Sequence, residues 1–372
     1  MTWNWQLTGW PEFARDRQKL AAREANFLEQ AGVLIGASRH FSDDDRISLS
    51  VSVMSMEAID TSQIEGETLD RESVQSSIQR ALGLKASRRT ALPAENGIAE
   101  MMVDLLKTTG APLSGAMLHR WHELMLGGRR DLQSIGAYRR HDEPMQIISG
   151  ASYAPKVHYE APPSDTVPGQ MAAFIAWFNR TAPSGADPML PIERAGLAHL
   201  WFECIHPYED GNGRIGRAIS EKALAQGRKR PVFTSLAGAL LHHRKDYYRE
   251  LELASRTLNA DRWLNWFADI VLEAQDRSCQ QVEFMLAKTG LFGRLEGQLN
   301  ERQEKALLRM FAEGIDGFKG GLSAKNYMTI TGAPTATATR DLLDMVIKGA
   351  LIRRGKLKAT RYFLKMDRGS LA

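Results

Sequence analysis

The sequence has little cysteine, no long apolar run and no secretion signal, and each absence excludes a class of protein. Two cysteines, Cys204 and Cys279, stand in 372 residues, too few for a disulfide framework and typical of a reducing compartment. No stretch approaches the roughly 18 uninterrupted apolar residues of a membrane span, and the N-terminus lacks a basic region followed by an apolar one. We therefore expect a cytoplasmic protein without a membrane-spanning segment.

What the chain does have is a composition suited to globular domains. Hydrophobic residues make up 43% of it, and its length allows two or three domains. Apolar residues recur at helical spacing over Leu113 to Leu126 and over Val167 to Thr181. Such stripes are typical of core-facing helices rather than of cofactor contacts. The predicted fold class is mainly α.

Residues 206–217 read HPYEDGNGRIGR and concentrate the residue types that suit a metal-bound polyphosphate. His206 can accept or donate a proton near neutral pH. Asp210 offers the hard oxygen ligands that Mg²⁺ prefers. Gly211 and Gly213 allow backbone N–H groups to approach an anion closely. We call this stretch the 206–217 motif.

The motif leads into a predicted helix. Residues from Arg217 to Gln226 are mostly helix formers, and Gly227 provides a stop. A helix N-terminus exposes free N–H groups and the positive end of the helix dipole, which favour bound phosphate. Arg214 and Arg217 add planar guanidinium groups that fit phosphate oxygens. The motif therefore predicts an anion site at a helix N-terminus with a titratable histidine beside it.

A dinucleotide-binding fold is one alternative for this region. Gly211, Gly213 and Gly216 match G-x-G-x-x-G, a pattern that requires a preceding strand and an acid about 20 residues later. The residues before the motif are spaced as in a helix, and no acid occurs from Lys222 to Lys245. Because both requirements fail, we reject this interpretation.

A zinc site is the second alternative. His199, Glu203 and His206 are spaced to share one face of a helix and could ligate zinc. The pattern is not H-E-x-x-H, and the sequence offers no obvious further ligand set. We therefore favour the interpretation that His199 and Glu203 orient His206 or pack locally.

The motif resembles the signature of the Fic-domain family, written H-P-F-x-[D/E]-G-N-G-R-x-x-R. It departs from that signature at Tyr208, where the family usually has Phe; the ring is kept, and its hydroxyl needs a partner if buried. The resemblance covers about residues 50–275. Residues upstream that agree with the family are Gly136, Tyr138, Arg139, Pro162, Pro163, Ala198 and His199.

The resemblance implies nucleotidyl transfer, most often of AMP from ATP to a protein hydroxyl group (AMPylation). In the family pattern His206 is the catalytic base, and Asp210 holds Mg²⁺. Asn212 would contact the α-phosphate and Arg217 the γ-phosphate. ATP is thus the expected substrate and Mg²⁺ the expected cofactor. The nucleotide-binding residues that the resemblance implies in the motif are Gly211, Asn212, Gly213, Arg214 and Arg217.

The string TSQIEG resembles an inhibitory pattern of Fic proteins, [S/T]-x-x-x-E-[G/N], with Thr61, Glu65 and Gly66 at its fixed positions. Apolar spacing over Ile47 to Ile64 predicts a helix that ends near Glu65. A carboxylate beside Arg217 would occupy the guanidinium that otherwise binds the γ-phosphate, so we expect autoinhibition. The alternatives are an ordinary helix terminus and a role for Glu65 in the reverse reaction, removal of AMP.

Two further features take a role from the family pattern. Met145 to Tyr159 reads as two short β runs around a turn from Gly150 to Pro155, which predicts a hairpin. In Fic proteins such a hairpin is a flap that docks the target segment along its sheet edge; a plain surface hairpin is the alternative. Tyr248 is a candidate for lining an adenine pocket, with core packing as the alternative.

The C-terminal region differs in element order and in charge. Helices predicted over Gln303 to Ala312, Ser323 to Thr329 and Thr335 to Lys348 are followed by two strands joined by Gly355, the order of a winged helix-turn-helix. From residue 339 onward, nine basic and three acidic residues leave a surplus of six positive charges, whereas the whole chain carries +4. A basic wing beside a helix is typical of DNA binding; docking of protein or dimerisation is the alternative.

We predict three regions: an N-terminal helical region with the inhibitory pattern (1–95), the Fic core (96–290) and the winged helix-turn-helix (297–372). The predicted function is that of a protein adenylyltransferase autoinhibited by Glu65. The alternatives are AMP removal or another nucleotide or phosphate transfer on this core, and a DNA-binding regulator with a Fic sensor. Expected partners are ATP, a target protein at the flap and DNA; a homodimer is compatible with the sequence but not specified by it.

The aromatic residues expected to pack onto the following domain are Trp3, Trp5, Trp10 and Phe13.

Overall fold

The structure is a computed structural model of the chain. It describes residues 2–39, 41–87, 90–149, 156–226, 234–314, 317–318 and 320–365, without the side chains of Ser38 and Lys358. The predicted turn from Gly150 to Pro155 and the predicted stop at Gly227 lie outside the described residues.

Helices dominate the described residues, which confirms the mainly α fold class. None of these helices combines the length and hydrophobicity needed to cross a bilayer. The strands form two antiparallel hairpins, β1 (Gln146–Ser149) with β2 (Lys156–Glu160) and β3 (Leu351–Arg354) with β4 (Arg361–Leu364). The helices are α1 (Ala21–Ser38), α2 (Asp43–Ile64), α3 (Arg71–Ala81), α4 (Pro93–Thr108), α5 (Gly115–Leu126), α6 (Val167–Arg180), α7 (Pro191–Ile205), α8 (Asn212–Ala225), α9 (Leu236–His242), α10 (Arg244–Ala254), α11 (Asp261–Arg294), α12 (Glu301–Ala312), α13 (Ala324–Thr331) and α14 (Thr335–Ile347).

The chain divides into two compact units. The larger unit comprises residues 1–32 and 50–278, and the smaller unit comprises residues 33–49 and 279–372. Helices α1, α2 and α11 contribute residues to both units. The three-part division expected from the sequence stays a prediction.

Helix α7 is the centre of the larger unit because it is enclosed on nearly every side. Its residues from Ile192 to Ile205 are buried except for Glu203, and the buried set includes the polar residues Glu193, Arg194 and His199. Gly196 allows a close approach of α11, since a Cβ atom there would lie 2.8 Å from Leu264 and 3.0 Å from Phe267. Tight packing along α7 fixes the point at which it ends, and therefore the position of the residue that follows.

Helix α2 confirms the helix predicted over Ile47 to Ile64 and begins slightly earlier, with three acidic residues in its first turn. Negative charge there suits the positive end of the helix dipole. At its other end, the Glu65 N–H donates to the Ser62 carbonyl at 3.1 Å. Gly66 then takes φ +87°, a left-handed conformation that glycine adopts without a Cβ clash. The inhibitory pattern thus spans the end of α2, with Thr61 on its last turn and Glu65 and Gly66 directly after it.

The β1–β2 hairpin confirms the two predicted strands. Ile147 faces Tyr159, and an irregularity follows before Ile148 pairs with Val157. All of β1 is exposed, whereas the Tyr159 side chain of β2 is buried. The Trp3 ring packs edge-on against Tyr159 with centroids 5.3 Å apart, as expected of the N-terminal aromatic cluster.

The smaller unit has its own core beneath α12, α13 and α14. Strands β3 and β4 pair in register from Leu351 opposite Leu364 to Arg354 opposite Arg361, and an isolated bridge joins Leu322 to Tyr362. Three helices followed by a hairpin is the element order predicted for this region, and its designation as a winged helix-turn-helix stays a prediction. Buried residues in this core include Leu307, Met310, Leu322, Tyr327, Ala338, Leu342, Met345 and Leu351.

Candidate functional site

The 206–217 motif forms the junction between α7 and α8. His206 follows the end of α7 in the left-handed region, with φ 49° and ψ 60°, and α8 begins at Asn212 after Gly211, whose φ is +80°. The helix predicted from Arg217 therefore starts earlier, inside the motif. Because the motif follows a helix and not a strand, the dinucleotide-fold alternative is excluded.

Arg139 holds the unusual backbone of His206 in place. Its guanidinium donates to the carbonyl oxygens of His206 at 2.8 Å and Pro162 at 2.6 Å, and to the Ser164 hydroxyl at 2.7 Å. Its backbone N–H donates to the Pro207 carbonyl at 2.9 Å. Only 1% of Arg139 is exposed. A left-handed non-glycine residue persists when its surroundings determine it, and Arg139 supplies that constraint.

Tyr208, the one departure from the family signature, finds the partner that its buried hydroxyl requires. The side chain is fully buried, and its hydroxyl lies 3.1 Å from His119 Nδ1. The ring stacks on His122 with centroids 4.2 Å apart, and His122 Nε2 lies 3.2 Å from the Asp210 carbonyl oxygen. Burial, foremost, lowers the pKa of His122 to about 4, so both rings pack as neutral groups against the motif.

Asn212 braces the loop and opens α8. Its side-chain oxygen accepts the Tyr208 N–H at 2.9 Å, and its side-chain nitrogen donates to the Tyr208 carbonyl at 2.8 Å. The side chain is therefore occupied within the loop, and the group it can offer a ligand is its backbone N–H. The first N–H groups of a helix have no acceptor within the helix, so Asn212, Gly213 and Arg214 present donors at the N-terminus of α8.

Asp210 lies beside this N-terminus with two guanidinium groups around it. Its carboxylate contacts Arg129 Nη1 at 3.0 Å and Arg214 Nη2 at 3.4 Å, and it accepts the Gly211 N–H at 2.5 Å. The side chain is 35% exposed. A partly exposed carboxylate with oxygens directed toward an anion-binding turn is a suitable ligand for a hard cation.

Arg217 is bound by the last turn of α2. Its Nη2 donates to a Glu65 carboxylate oxygen at 2.7 Å and to the Thr61 carbonyl at 3.0 Å, and its Nε donates to the Thr61 hydroxyl at 2.7 Å. Arg217 is 1% exposed and Glu65 29% exposed. The third nitrogen, Nη1, is buried without a hydrogen-bond partner in the described part of the chain.

Gly213 allows the Glu65 carboxylate to lie directly on the first turn of α8. A Cβ atom at this position would collide with a carboxylate oxygen of Glu65 and lie 3.1 Å from its Cδ atom. The next acid along the chain, Glu67, pairs with Arg214 Nη1 at 2.8 Å. The structure therefore brings Thr61, Glu65 and both motif arginines together, with the carboxylates in the place where an anion would bind.

His206 is a buried, neutral imidazole in the folded chain. Burial, and secondly the charge of Arg139, lower its pKa to about 4, so the imidazole is neutral at neutral pH. Its side chain is 12% exposed. Nδ1 is buried and has no hydrogen-bond partner among the residues described, which leaves Nε2 as the nitrogen available to a ligand.

A cavity of about 700 Å³ lies in front of His206, and we call it the pocket. Tyr248 lines it, is 42% exposed, and donates its hydroxyl to the Ile64 carbonyl at 3.2 Å. The β1–β2 hairpin and α10 both contribute residues to its lining. Other residues that line the pocket include Glu65, Ile147, Ile148, Tyr159, Glu203, His206, Gly213, Arg244 and Leu251.

The zinc alternative does not fit the geometry. His199 Nε2 lies 2.8 Å from the Tyr247 hydroxyl, and its Nδ1 lies 3.2 Å from the Ser220 hydroxyl. Both ring nitrogens are thus used in local packing. Burial, foremost, lowers the pKa of His199 to about 3 and raises that of Glu203 to about 8.

Three residues that shape the site carried no sequence signal strong enough to predict their role. They are Arg139, Arg129 and Glu67. Each acts through a partner far away in the chain, as Glu67 does with Arg214. The one usable signal was the presence of Arg139 among the residues that agree with the family pattern.

Two family models match the chain. The model of the Fic/DOC family covers residues 112–224, a range that contains the β1–β2 hairpin and the 206–217 motif. The model of a domain of unknown function, DUF4172, covers residues 3–84, a range that contains the inhibitory pattern.

Similar proteins match over part of their length. Over 86 residues the chain is 31% identical to the protein adenylyltransferase fic-1 of Caenorhabditis briggsae, covering 23% of this chain and 15% of that protein. Over 116 residues it is 31% identical to the protein adenylyltransferase Fic of Nematostella vectensis, covering 31% of this chain and 25% of that protein. The chain thus spans a quarter or less of these relatives.

Solved structures share the fold. A Fic family protein from Desulfovibrio desulfuricans G20 matches with a TM-score of 0.55 and 20% identity, over 97% of this chain and 99% of that one. A fragment of Fic-1 from C. elegans matches with a TM-score of 0.51 and 20% identity, over 73% and 75%. These matches show that the chain shares their fold, and the family model identifies residues 112–224 as a Fic/DOC family domain.

Proposed function

We propose that this chain is a protein adenylyltransferase, which transfers AMP from ATP to a hydroxyl group of a target protein. The observation that carries the proposal is a neutral, pocket-facing His206 placed directly before a helix N-terminus that bears free N–H groups and two arginines. The relatives named as protein adenylyltransferases support the same reaction. A base and an anion site in one pocket are what AMP transfer requires.

In the proposed reaction, His206 Nε2 accepts the proton of the attacking hydroxyl group. The hydroxyl oxygen forms a bond to the α-phosphorus, the bond from that phosphorus to the oxygen bridging the β-phosphate breaks, and pyrophosphate leaves. A neutral imidazole is needed at the first of these events. The lowered pKa of His206, about 4, supplies it across the neutral range.

The first turn of α8 would bind the phosphates. The N–H groups of Asn212, Gly213 and Arg214 face outward from the helix N-terminus, where the dipole favours negative charge. Arg217 would bind the γ-phosphate once Glu65 leaves its guanidinium, and its buried Nη1 supplies an additional donor. These donors would hold the departing pyrophosphate as its charge grows.

Asp210 fits Mg²⁺, because its carboxylate is partly exposed and lies against the anion-binding turn. Mg²⁺ bound there would offset charge on the phosphates and make pyrophosphate a better leaving group. Arg129 and Arg214 already hold the carboxylate in position.

The Glu65 carboxylate makes the resting enzyme autoinhibited in this proposal. It occupies Arg217 and lies over Gly213, so a γ-phosphate directed to Arg217 would meet an anion instead of a free guanidinium. ATP would then bind without its α-phosphorus in line with the attacking hydroxyl.

The exposed β1 strand is the proposed docking edge for the target. Both Ile147 and Ile148 line the pocket, and they are 39% and 55% exposed. An extended peptide can pair with such an edge through backbone hydrogen bonds, which would bring its hydroxyl side chain to His206.

Incubation with ATP radiolabelled at the α-phosphate, compared with label at the γ-phosphate, tests the reaction. We expect label on protein from the α-phosphate alone, more of it with Glu65→Gly, and none with His206→Ala. Transfer of γ-label would show phosphate transfer instead. Release of AMP from a previously modified protein by the wild-type chain, with no forward labelling by either form, would favour AMP removal.

A second proposal concerns the smaller unit, which we infer to bind double-stranded DNA. Basic residues are exposed on the β3–β4 hairpin and on α14, whereas the acidic Asp341 is buried and pairs with Arg302 at 2.9 Å. The hairpin and the helix would contact the phosphate backbone and a groove, respectively. The exposed basic residues are Arg340, Arg353, Arg354, Lys356 and Lys365. Fluorescence anisotropy with a labelled duplex at several salt concentrations tests this.

A further inference from the structure

The interior of the larger unit leaves two neighbouring polar atoms without partners. They are Nδ1 of His206 and Oε1 of Glu203, both buried and both unbonded within the described residues. The other carboxyl oxygen of Glu203, Oε2, lies 3.9 Å from His206 Nδ1. Buried polar groups are nearly always hydrogen-bonded, and an exception calls for an explanation.

Burial of the Glu203 carboxyl group in this position costs free energy of folding. It lies one turn before His206 on α7, its side chain is 11% exposed, and it packs against the backbone of Gly216 on α8, where a Cβ atom would collide with Oε1. Burial is the main cause that raises the pKa of Glu203. An apolar residue would avoid the cost of burying a carboxyl group without a partner, so the carboxyl group serves a purpose that packing does not require.

We infer that Glu203 is a positioning residue for His206: a carboxyl oxygen of Glu203 accepts the Nδ1–H of His206 and keeps the Nε2 lone pair directed into the pocket. The inference rests on the proposed role of His206 as the base. An imidazole accepts a proton at Nε2 only in the tautomer that carries its hydrogen on Nδ1. An acceptor fixed at Nδ1 selects that tautomer and the ring orientation, as the acid of a catalytic triad does.

The 3.9 Å separation is longer than a hydrogen bond. Catalytic hydrogen bonds are often long before substrate binds and shorten in the complex. Nδ1 makes no hydrogen bond of ordinary geometry among the described residues, so a rotation of the His206 ring can bring it to the Glu203 carboxyl group, with the backbone carbonyl of Glu203 as the competing acceptor. When Nε2 takes the proton of the hydroxyl group, Nδ1 keeps its own, and the resulting imidazolium faces the oxygen of Glu203.

Three substitutions in the activated Glu65→Gly background separate positioning from packing. Glu203→Leu removes the acceptor and keeps an apolar side chain of similar size, and Glu203→Asp keeps the carboxyl group but withdraws it from Nδ1. Glu203→Gln keeps an oxygen at the same distance. The matched control is Glu100→Gln, which makes the same chemical change at an exposed position of α4.

We expect kcat for AMP transfer to fall about 100-fold with Glu203→Leu and with Glu203→Asp, the order of a lost acid–base contribution. Glu203→Gln should stay within about tenfold of its parent, and the KM for ATP should be unchanged throughout. Retention of the parent kcat by both Glu203→Leu and Glu203→Asp would overturn the inference.

Nitrogen-15 NMR measures the tautomer population of the His206 imidazole. A change in packing alone would not alter that population, and the measurement does not require an active protein. In the Glu65→Gly protein we expect the Nδ1–H tautomer, and we expect Glu203→Leu to shift the population toward Nε2–H. Observation of the Nε2–H tautomer with Glu203 intact would overturn the inference even if every substitution at position 203 unfolds the chain. If the Glu65→Gly parent transfers no AMP, the proposed function fails instead, and the NMR result still decides the role of Glu203.

Discussion

The Glu65 carboxylate and the Arg217 guanidinium are bonded at 2.7 Å although 152 positions separate them in the chain. Thr61 takes two more hydrogen bonds from the same guanidinium, so the last turn of α2 holds Arg217 at three points. Arg217 is almost fully buried, and only Nη1 remains without a partner among the described residues. In the proposed reaction, a γ-phosphate would reach this arginine by displacing the Glu65 carboxylate.

Glu65→Gly is expected to raise AMP transfer at least about tenfold. Loss of a hydrogen bond to a charged group corresponds to about 1.5–3 kcal/mol, and 1.4 kcal/mol is about tenfold in an equilibrium. The substitution frees Arg217 and opens the space above Gly213. The measurement is the initial rate of α-labelled AMP incorporation, together with the KM for ATP.

Gln63→Gly is the matched control for that substitution. Gln63 is exposed on the same turn of α2, so glycine there loosens the helix end to the same extent without touching Arg217. Its rate should equal that of the wild type. If Gln63→Gly activates as strongly as Glu65→Gly, the cause is a frayed helix and the carboxylate is not the inhibitor.

Thr61→Val should activate the enzyme less than Glu65→Gly does. Valine removes the hydroxyl that accepts the Arg217 Nε–H at 2.7 Å, while the Glu65 contact and the Thr61 carbonyl contact remain. An unsatisfied buried donor costs about 1–3 kcal/mol, and we also expect a lower melting temperature. Ser62→Ala is the control, because the Ser62 hydroxyl is buried without a partner in the described residues. Equal activation by both substitutions would contradict a specific role for Thr61.

Local patterns in the sequence predicted the positions of individual helices and strands. The helix over Ile47 to Ile64, the two flap strands and the helical approach to His206 all follow from spacing that repeats over a few residues. Such patterns can be recognised because each helix or strand buries one face, so apolar residues recur in the sequence with the period of that helix or strand.

Contacts between distant residues were predictable only where a family pattern pointed to them. Glu65 with Arg217 was such a case, whereas Glu67 with Arg214 was not. The chain holds 48 basic and 44 acidic residues, and charge alone leaves too many pairings open. The left-handed His206 was also unforeseen, because its conformation depends on Arg139, which is fixed by packing far from it in sequence.

The pH dependence of the Glu65→Gly enzyme should reflect the depressed pKa of His206. With a pKa of about 4, the imidazole stays mostly neutral at pH 5, so kcat should change less than about twofold between pH 7 and pH 5 and fall toward pH 4. A histidine at its ordinary value near 6.5 would lose more than about tenfold over the same interval.

Acid unfolding must be measured beside that profile. His199 and His206 stay neutral in the folded chain down to pKa values of about 3 and 4, whereas the unfolded chain protonates them below about 6.5. The unfolded state thus binds more protons in that window, and these two groups lower the free energy of unfolding as pH falls through it. Rates should be compared only where circular dichroism shows a folded enzyme. An inflection near pH 6.5 in folded enzyme would contradict the assignment of His206 as a buried neutral base.

Ile148→Asp on the flap should weaken target modification without weakening ATP use. The side chain is 55% exposed at the pocket, and a charge on the docking edge disfavours an apolar peptide segment. In the Glu65→Gly background, α-label on proteins of a cell extract should fall, while hydrolysis of ATP to AMP by water should not. The control is Ile352→Asp, which places the same charge on an exposed isoleucine of the other hairpin. If Ile148→Asp lowers protein labelling and ATP hydrolysis equally, Ile148 maintains the structure of the site and does not act in docking.

Charge reversal on the β3–β4 hairpin should weaken the binding of duplex DNA by the full chain and make it less dependent on salt. Arg353 and Arg354 are both exposed there, and each phosphate contact contributes about −0.9 to the slope of log K against log salt. The double substitution Arg353→Glu with Arg354→Glu should therefore reduce that slope by about two and leave AMP transfer by the Glu65→Gly enzyme unchanged. The control is Lys85→Glu with Lys107→Glu, which changes the net charge equally at exposed positions of the larger unit. If both double variants lose affinity alike, the attraction comes from net charge and not from a binding face; if neither binds less than the wild type, the hairpin is not a DNA contact.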